Sequence, residues 1–239
     1  LIIISIVNVV DSMIAREADC GVYLNAGREV AVASTKCFTS QLIVLSMISV
    51  WFSQNKNTYL MNRKQIITDL RNLSNDVSNL IENLEDKIKI LAKDIISSKK
   101  KSLFILGKGY CKEIAREGAL KIKEIAYLHA EGYSGSALKH GPFALLEKDT
   151  PVIFIAPDDS NFSKMVNSAE EVKSRHSKVI FITDKNIDNF ENIIKIPINK
   201  TFSGLLAGVV LQLLAYHLSI IQDINPDYPK NLAKVVTVE

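Results

Sequence analysis

The chain has 239 residues, and 47% of them are hydrophobic, so it can bury the core of one large domain or of one and a half smaller ones. Its 29 basic and 26 acidic side chains leave a net charge of +3, and no basic stripe is interleaved with aromatic residues, which excludes a dedicated nucleic-acid-binding protein. The three cysteines, Cys20, Cys37 and Cys111, lack metal-ligand spacing. They fit a reducing cytosol better than a disulfide scaffold and predict no metal site.

The first ten residues are strongly apolar, but this run is too short to span a bilayer and lacks the features of a signal peptide. We interpret it as a core strand left exposed where the sequence starts, so that the chain is expected to begin inside a domain. A short helix at 11–17 and a second strand at 21–24 are predicted to follow.

An apolar helix is predicted from Phe38 to Phe52, and Ser34 or Thr35 can cap its N-terminus. The free N–H groups at such a helix end can also hold an anion. From the residues alone, an ordinary cap is the better interpretation.

Residues 54–65 are polar and are interpreted as a linker. Residues 66–97 then carry apolar side chains at spacings of three or four, which is typical of helix. We predict a helical hairpin or a pair of packed helices here rather than a long coiled coil, because the repeat is short.

From Ser102 onward, predicted strands alternate with predicted helices. Continuous apolar runs predict buried strands at 102–106, 151–157, 178–184 and 193–197. Helical patterns cover 111–128, 161–175 and 203–221. This alternation favours an α/β fold with a doubly wound parallel sheet, followed by a proline-punctuated tail.

The helix at 111–128 carries Glu117, Lys121 and Glu124 within roughly 60° of one another around its axis. The ordinary interpretation is a solvated face with Glu–Lys pairs. The rest of this helix is apolar or small, however, and the face is expected to point toward a Gly- and Ser-rich loop that delivers His140. We therefore expect a pocket at this face.

Three segments together resemble a known enzyme family. Residues 117–142, EGALKIKEIAYLHAEGYSGSALKHGP, closely resemble the sugar isomerase (SIS) half of the glutamine–fructose-6-phosphate aminotransferases, also called glucosamine-6-phosphate synthases. Residues 25–41, NAGREVAVASTKCFTSQ, are similar to a segment of that family's first SIS domain. Residues 226–239, PDYPKNLAKVVTVE, are similar to its C-terminal tail.

The resemblance implies a three-layer, doubly wound SIS fold with one partial and one complete SIS domain. Residues 1–58 would be the C-terminal part of the first SIS domain and 59–97 a helical connector. Residues 98–224 would be the second SIS domain and 225–239 a C-terminal active-site tail.

The resemblance also implies an activity. The family converts fructose 6-phosphate and glutamine-derived ammonia into glucosamine 6-phosphate, the first step of hexosamine and UDP-N-acetylglucosamine synthesis. The implied partners are a small-molecule sugar phosphate, a glutaminase domain of the same polypeptide and a second copy in a homodimer. A cytoplasmic enzyme without cofactor, metal, nucleic-acid or membrane partner is expected. The family's S-x-S-x-[ED]-T phosphate pattern is not in this sequence. The 239 residues alone are therefore expected to be inactive.

The chemistry calls for a carboxylate that moves a proton from C1 to C2, a histidine that opens the sugar ring, and a lysine amine that holds the carbonyl carbon as an imine. By resemblance, Glu124, His140 and Lys234 take these three roles. Lys121 would stabilise the charge on the enolamine oxygen. The residues implied to line the sugar pocket are Val32, Ser34 and Ala233. His140 is expected to complete the site of a partner chain.

His129, Glu117 and Glu131 are weaker candidates, for which a packing or capping role is at least as well supported. The sequence departs from the family at Ser136-Ala137, where Gly-Glu is usual, and at Lys230, where Arg is usual. Two other functions remain open: a non-catalytic SIS module that binds a phosphosugar to regulate a partner, and a glutaminase-free phosphosugar isomerase or deaminase. The combination of Glu124, His140 and the Lys234 tail argues against the first, and the NLAKVVTVE tail argues against the second.

Overall fold

The structure is a computed structural model that describes residues 1–56 and 60–233, so that Lys234 lies outside the described residues. The chain begins with β1 (Ile4–Val7), α1 (Met13–Glu17), β2 (Cys20–Tyr23) and α2 (Lys36–Asn55). β1 and β2 pair in parallel as a two-stranded sheet. Only Ser5 of β1 is buried, and the apolar side chain of Ile4 is 43% exposed.

A single 38-residue helix, α3 (Leu60–Ser97), follows. The prediction of a hairpin or a helix pair is therefore wrong, and so is the part of the predicted linker that covers 60–65. Residues 60–97 contain no glycine or proline that would end a helix, and the apolar stripe continues along its length. The buried apolar residues of α3, which join the main core, are Leu73, Leu80, Leu84, Ile88, Leu91, Ala92 and Ile95.

The rest of the described chain forms a five-stranded sheet, all parallel, in the order β4-β3-β5-β6-β7. Its strands are β3 (Ser102–Gly107), β4 (His129–Ser134), β5 (Pro151–Ile155), β6 (Lys178–Thr183) and β7 (Asn192–Lys195). The helices are α4 (Cys111–Ala126), α5 (Phe162–Lys173) and α6 (Ser203–Ile221), with short 3₁₀ turns at Ala137–His140 and Pro142–Leu145.

The sheet lies between two layers of helices, which confirms the predicted doubly wound α/β fold. Alternate strand residues point to opposite faces. Ile105 and Ile153 pack with α3, α4 and α6, whereas Phe104 and Phe154 pack with α5. The site candidates on α4 therefore belong to the layer that also contains α3 and α6.

The edge strand β4 occupies residues for which a loop was predicted, and that prediction is wrong. The residues of this strand that pack against α4 include Ala130 and Gly132, and both are too small to give the apolar pattern of a core strand. A Cβ added at Gly132 would lie 2.5 Å from the Arg116 backbone N and Cα atoms. The absence of a side chain is thus what allows α4 to pack closely on the edge of the sheet.

Helices α4 and α6 run side by side in the same direction. A Cβ added at Gly118 would lie 2.3 Å from Leu211 Cδ1, and the Gln222 side chain donates to the Ala126 carbonyl over 3.1 Å. Among the described residues, α2 and α6 are long and apolar enough to cross a bilayer by length and composition alone. The apolar surface of α6 is accounted for by its burial in the core, and α2 packs Phe38, Leu42 and Ile43 on that core.

Candidate active site

A lysine held between two carboxylates is the central feature of α4. Only 3% of Lys121 is exposed. Its Nζ atom lies 2.7 Å from Glu124 Oε2 and 3.4 Å from Glu117 Oε1. The glutamate side chains are 17% and 22% exposed at Glu117 and Glu124, respectively. The predicted shared face is confirmed, and the interpretation as a solvated face is wrong.

The sequence of α4 explains this burial. Ile114, Gly118, Ile122 and Ile125 form a buried stripe against the sheet and α6, as predicted. Lys121 lies three residues after Gly118 and four before Ile125, so it shares the side of the helix that carries this stripe and is buried with it. A buried ammonium is costly unless it is paired, and here Glu117 and Glu124 supply that pairing.

A cavity of about 750 Å³ adjoins this cluster through Glu117. It lies between α2, α4 and the N-terminal end of α6. Its apolar lining includes Phe38, Leu42, Ile66, Tyr110, Leu120 and Leu205. The charged residues that line this cavity are Glu113, Arg116 and Glu117. The mostly apolar lining suits packing more than a sugar phosphate, so the cavity itself is not assigned as the substrate pocket.

The predicted sugar-pocket residues Val32 and Ser34 lie just before α2, and both are half-buried. The Ser34 hydroxyl donates to Glu29 Oε1 over 3.3 Å. The same carboxylate oxygen accepts the backbone N–H groups of Thr35 and Cys37 at 3.0 and 3.4 Å. The start of α2 is therefore capped by Glu29, and the prediction that Ser34 or Thr35 supplies the side-chain cap is wrong.

Glu29 was missed because it lies several residues before the helix. A carboxylate at a helix N-terminus is stabilised by the free N–H groups and the helix dipole, so its chemical type was a usable signal. The loop geometry that folds it back onto α2 was not visible in the sequence. The carboxylate holds the Val32–Ser34 segment in place ahead of the helix that lines the cavity.

His140 lies at the opposite end of the sheet from Glu124. It ends the 3₁₀ turn that follows the carboxyl end of β4, and its side chain is exposed. Glu124 is thirteen residues into α4 from Cys111, which corresponds to about 20 Å along the helix axis away from that edge. The expectation that the charged face points toward the His140 loop of the same chain is therefore wrong.

The loop around His140 is held by other contacts. Lys139 Nζ pairs with Glu171 Oε1 of α5 at 2.7 Å. The Ser134 and Ser136 hydroxyls lie 3.2 Å apart. The usual glutamate of the Gly-Glu pair is replaced by Ala137, and Lys139 pairs instead with Glu171 on α5.

The tail returns to the end of α4. The Lys230 backbone N–H donates to the Tyr127 hydroxyl over 2.6 Å, directly after the last residue of α4, Ala126. Ala233, predicted to line the sugar pocket, is exposed at the end of the described chain. The predicted imine lysine, Lys234, lies outside the described residues.

His129 and Glu131 take part in a separate network on the edge strand. Ser102 Oγ lies 2.9 Å from His129 Nδ1, and His129 Nε2 lies 3.2 Å from Glu131 Oε1. The Tyr133 hydroxyl donates to the other oxygen of Glu131, and this hydrogen bond raises the pKa of Tyr133. The network lies along β4 rather than beside Glu124, which supports the packing role weighed for His129 and Glu131. Their period-two spacing was the signal for it.

The cysteines offer no nucleophile at this site. Cys37 and Cys111 are buried and Cys20 is exposed, and none of the three forms a disulfide within the described residues. Burial raises the pKa of Cys111 to about 12, which disfavours the reactive thiolate. Within residues 1–56 and 60–233, no group of His, Cys, Asp and Glu side chains is arranged to hold a metal ion.

The model of one protein family matches residues 1–50 and 95–222, and its description is SIS domain. The chain belongs to the SIS domain family. The matched ranges include the α2 segment with Val32 and Ser34 and the whole of α4, so both parts of the candidate site lie in SIS sequence.

Among curated SIS relatives, a probable glutamine–fructose-6-phosphate aminotransferase of Acanthamoeba polyphaga mimivirus is 48% identical over 99% of this chain and 39% of its own length. Glutamine–fructose-6-phosphate aminotransferase 1 of Rattus norvegicus is 40% identical over 99% of this chain and 35% of its own length. These similarities confirm the resemblance drawn from the three motifs. The chain spans about 35–39% of the length of these two relatives.

Solved structures agree with this assignment. The C-terminal domain of glucosamine-fructose-6-phosphate aminotransferase from Francisella tularensis superimposes with a TM-score of 0.86 at 34% identity, over 94% of this chain and 64% of that one. A glucosamine-6-phosphate deaminase from Thermotoga maritima has a TM-score of 0.70 at 22% identity, over 98% of this chain and 66% of that one. The second likeness shows the shared SIS fold alone.

Proposed function

We propose that this chain is the sugar isomerase part of a glutamine–fructose-6-phosphate aminotransferase. It would convert fructose 6-phosphate and ammonia released from glutamine into glucosamine 6-phosphate. The observation that carries the proposal is the buried Lys121 held between Glu117 and Glu124 on an SIS helix. A lysine that only made a helix face soluble would be exposed, whereas Lys121 is 3% exposed. A buried, paired charge next to carboxylates is typical of a proton-transfer site.

In this proposal Glu124 moves the proton between C1 and C2 of the open-chain sugar. The carboxylate accepts a hydrogen bond from Lys121 at 2.7 Å, which fixes the orientation of its oxygens, while its side chain stays 22% exposed. A general base needs both a fixed geometry and access to the substrate. Lys121 then carries the positive charge that stabilises the enolamine oxygen in the transition state.

Val32, Ser34 and Ala233 would line the sugar pocket, and Lys234 would capture the open-chain sugar as an imine. Support for the first two comes from their place in the segment directly before α2, which the Glu29 carboxylate holds through the Ser34 hydroxyl and the Thr35 and Cys37 N–H groups. Support for Lys234 comes from the tail, which the Lys230–Tyr127 contact holds beside the end of α4.

We further propose that His140 acts in the site of a second copy of the chain. The parallel topology puts Glu124 and His140 toward opposite ends of the sheet, so one chain does not bring them together by itself. A homodimer that places the exposed His140 of one copy over Glu124 of the other would complete the site. Ring opening by a histidine near neutral pH would then precede proton transfer.

The ammonia would come from a glutaminase domain of the same polypeptide, and the enzyme would work in the cytoplasm without a cofactor or a metal. The similarity to curated aminotransferases at 40–48% identity does not favour the two alternatives, a regulatory phosphosugar-binding module and a glutaminase-free isomerase or deaminase.

Trapping of an imine tests the proposal. Borohydride added with fructose 6-phosphate to the full-length protein should attach one reduced sugar per chain, and peptide mass spectrometry should place it at Lys234. Lys234→Arg should abolish the adduct, whereas Lys148→Arg, which changes an exposed lysine far along the chain, should keep it. Adduct formation that survives Lys234→Arg would contradict the imine assignment.

A further inference from the structure

Tyr127 adopts a backbone conformation that suits a smaller residue. It directly follows α4 as its C-cap, with φ of 55° and ψ of 24°, which is the left-handed region. Glycine or asparagine normally occupies such a position, because a Cβ atom crowds the following carbonyl there. A large aromatic residue at a strained helix end calls for a compensating contact.

That contact comes from the tail. The Lys230 backbone N–H donates to the Tyr127 hydroxyl over 2.6 Å, and Lys230 Nζ lies 4.5 Å from the centre of the Tyr127 ring. The preceding residue, Pro229, is buried. One residue of the tail therefore uses both the polar tip and the aromatic face of Tyr127.

We propose that Tyr127 is a positioning residue that fastens the C-terminal tail to the helix that carries Glu124. Tyr127 lies three residues after Glu124, which is about one helical turn, or roughly 5 Å along the axis. Lys234 follows Lys230 by four residues, so the chain allows at most about 14 Å between their Cα atoms. Fixing Lys230 therefore limits how far Lys234 can lie from the end of α4. The functional consequence rests on the proposed roles of Glu124 and Lys234, whereas the clasp between Tyr127 and Lys230 does not.

The clasp would reduce the conformational entropy that the tail loses when its lysine is brought to the substrate. Beyond Lys230, residues 231–233 are exposed. Without an anchor, such a segment samples many positions, and bringing its lysine to the substrate costs conformational entropy in every turnover. An anchor one turn from the base removes most of that cost in advance.

Two roles of Tyr127, packing against the chain end and positioning of the tail, predict different effects of substitution. If Tyr127 only filled space, any large side chain would serve, and glycine would weaken the fold. If Tyr127 is a clasp, Tyr127→Gly relieves the left-handed strain and leaves α4 intact, yet frees the tail. Tyr228, which is 74% exposed and lies two residues before Lys230, provides a matched tail tyrosine for control.

Limited proteolysis of the 239-residue chain with trypsin measures the clasp directly. Cleavage after Lys230 should be roughly tenfold faster in Tyr127→Gly than in the unmodified chain, and about threefold faster in Tyr127→Phe, which keeps the ring but loses the hydroxyl. Tyr228→Ala should leave the rate unchanged. The thermal midpoint of Tyr127→Gly should not fall, which separates release of the tail from unfolding.

Steady-state kinetics distinguish positioning of the tail from a purely structural role, because only positioning of the tail should affect kcat. In the full-length protein, Lys230→Met should lower kcat about tenfold with little change in the KM for fructose 6-phosphate. Lys230→Arg should retain kcat, because a guanidinium also stacks on an aromatic ring. Equal tryptic rates for Tyr127→Gly and the unmodified chain would overturn the clasp. No sugar adduct in any protein, with the rates differing as expected, would instead overturn the proposed function and leave the clasp supported.

Discussion

Lys121 donates to Glu124 across 2.7 Å while only 3% of the lysine is exposed to solvent. Glu117 holds the same ammonium from one helical turn earlier, at 3.4 Å. The two contacts turn a common surface pattern into a buried charged cluster. This cluster is the reason to assign proton-transfer chemistry to α4 rather than a solubilising role.

Removal of the ammonium should leave two carboxylates close together in a mostly buried place. Lys121→Met should therefore lower the free energy of unfolding by about 3 kcal/mol, as expected when one partner of a buried ion pair is removed. The urea-denaturation midpoint of the purified chain measures this loss.

Arg116→Met on the same helix is the matched control. Arg116 pairs with Glu113 at 3.2 Å, but these side chains are 57% and 64% exposed. Such a surface pair contributes little, so the change should cost less than about 0.5 kcal/mol. Equal losses in the two variants would mean that the Lys121 cluster behaves as an ordinary surface pair.

His217 predicts a dependence of stability on pH. It is 5% exposed on α6, and among the described residues its Nε2 atom has no hydrogen-bond partner. Burial lowers its pKa, with opposing effects of Glu85 and Asp86 and a further lowering by Lys89, all on α3. Because the folded pKa lies below that of the unfolded chain, the unfolded state binds more protons as the pH falls from about 6.5.

The contribution of neutral His217 is thus fully present above about pH 6.5 and is lost as the pH falls toward its folded pKa. Each pH unit in that window should cost up to about 1.4 kcal/mol in the unmodified chain. His217→Leu should flatten this slope in urea titrations between pH 6.5 and 5, whereas His176→Asn, at an exposed histidine with φ of 60°, should not. An unchanged slope in His217→Leu would assign the titration to another group.

The sequence predicted strands β3, β5 and β6 well, because each is a short apolar run buried on both faces. The edge strand β7 was also predicted from its apolar run, although Ile194 is its one buried residue. β4 was missed, since the residues that it packs against α4, such as Ala130 and Gly132, are small rather than apolar and large. The single long helix α3 was missed for a different reason. Apolar spacing reports that a segment is helical, but not whether the chain turns back within it.

The candidate site was predictable only in part. Helical spacing alone placed Glu117, Lys121 and Glu124 together, and the structure adds their burial. The separation of Glu124 from His140 depends on the topology of the parallel sheet, which spacing along the chain does not contain. The cap formed by Glu29 and the clasp formed by Tyr127 depend on loop paths that bring distant residues together.

A homodimer with shared sites predicts complementation. Glu124→Gln subunits and His140→Ala subunits should each be inactive, and mixing them should form heterodimers in which one site keeps both native residues. Activity should return to about a quarter of the unmodified level, because half of the dimers are mixed and each has one intact site. Differently tagged subunits, purified in sequence, isolate the heterodimers, and these should show about half of the unmodified activity.

A heterodimer preparation without any recovery would mean that Glu124 and His140 act in the same copy. Mixing Glu124→Gln with Lys121→Met subunits is the control, because both changes lie in one α4 cluster. That pair should leave each heterodimer without an intact site and show no recovery.

The most direct test of the account is the turnover of Glu124→Gln in the full-length protein. The amide keeps the shape of the side chain but loses the proton-accepting carboxylate, so fructose 6-phosphate should still bind with nearly normal affinity. Formation of glucosamine 6-phosphate, followed by chromatography of the product, should fall ~10²–10⁴-fold. Turnover within a few-fold of the unmodified protein would contradict the assignment of the base to Glu124.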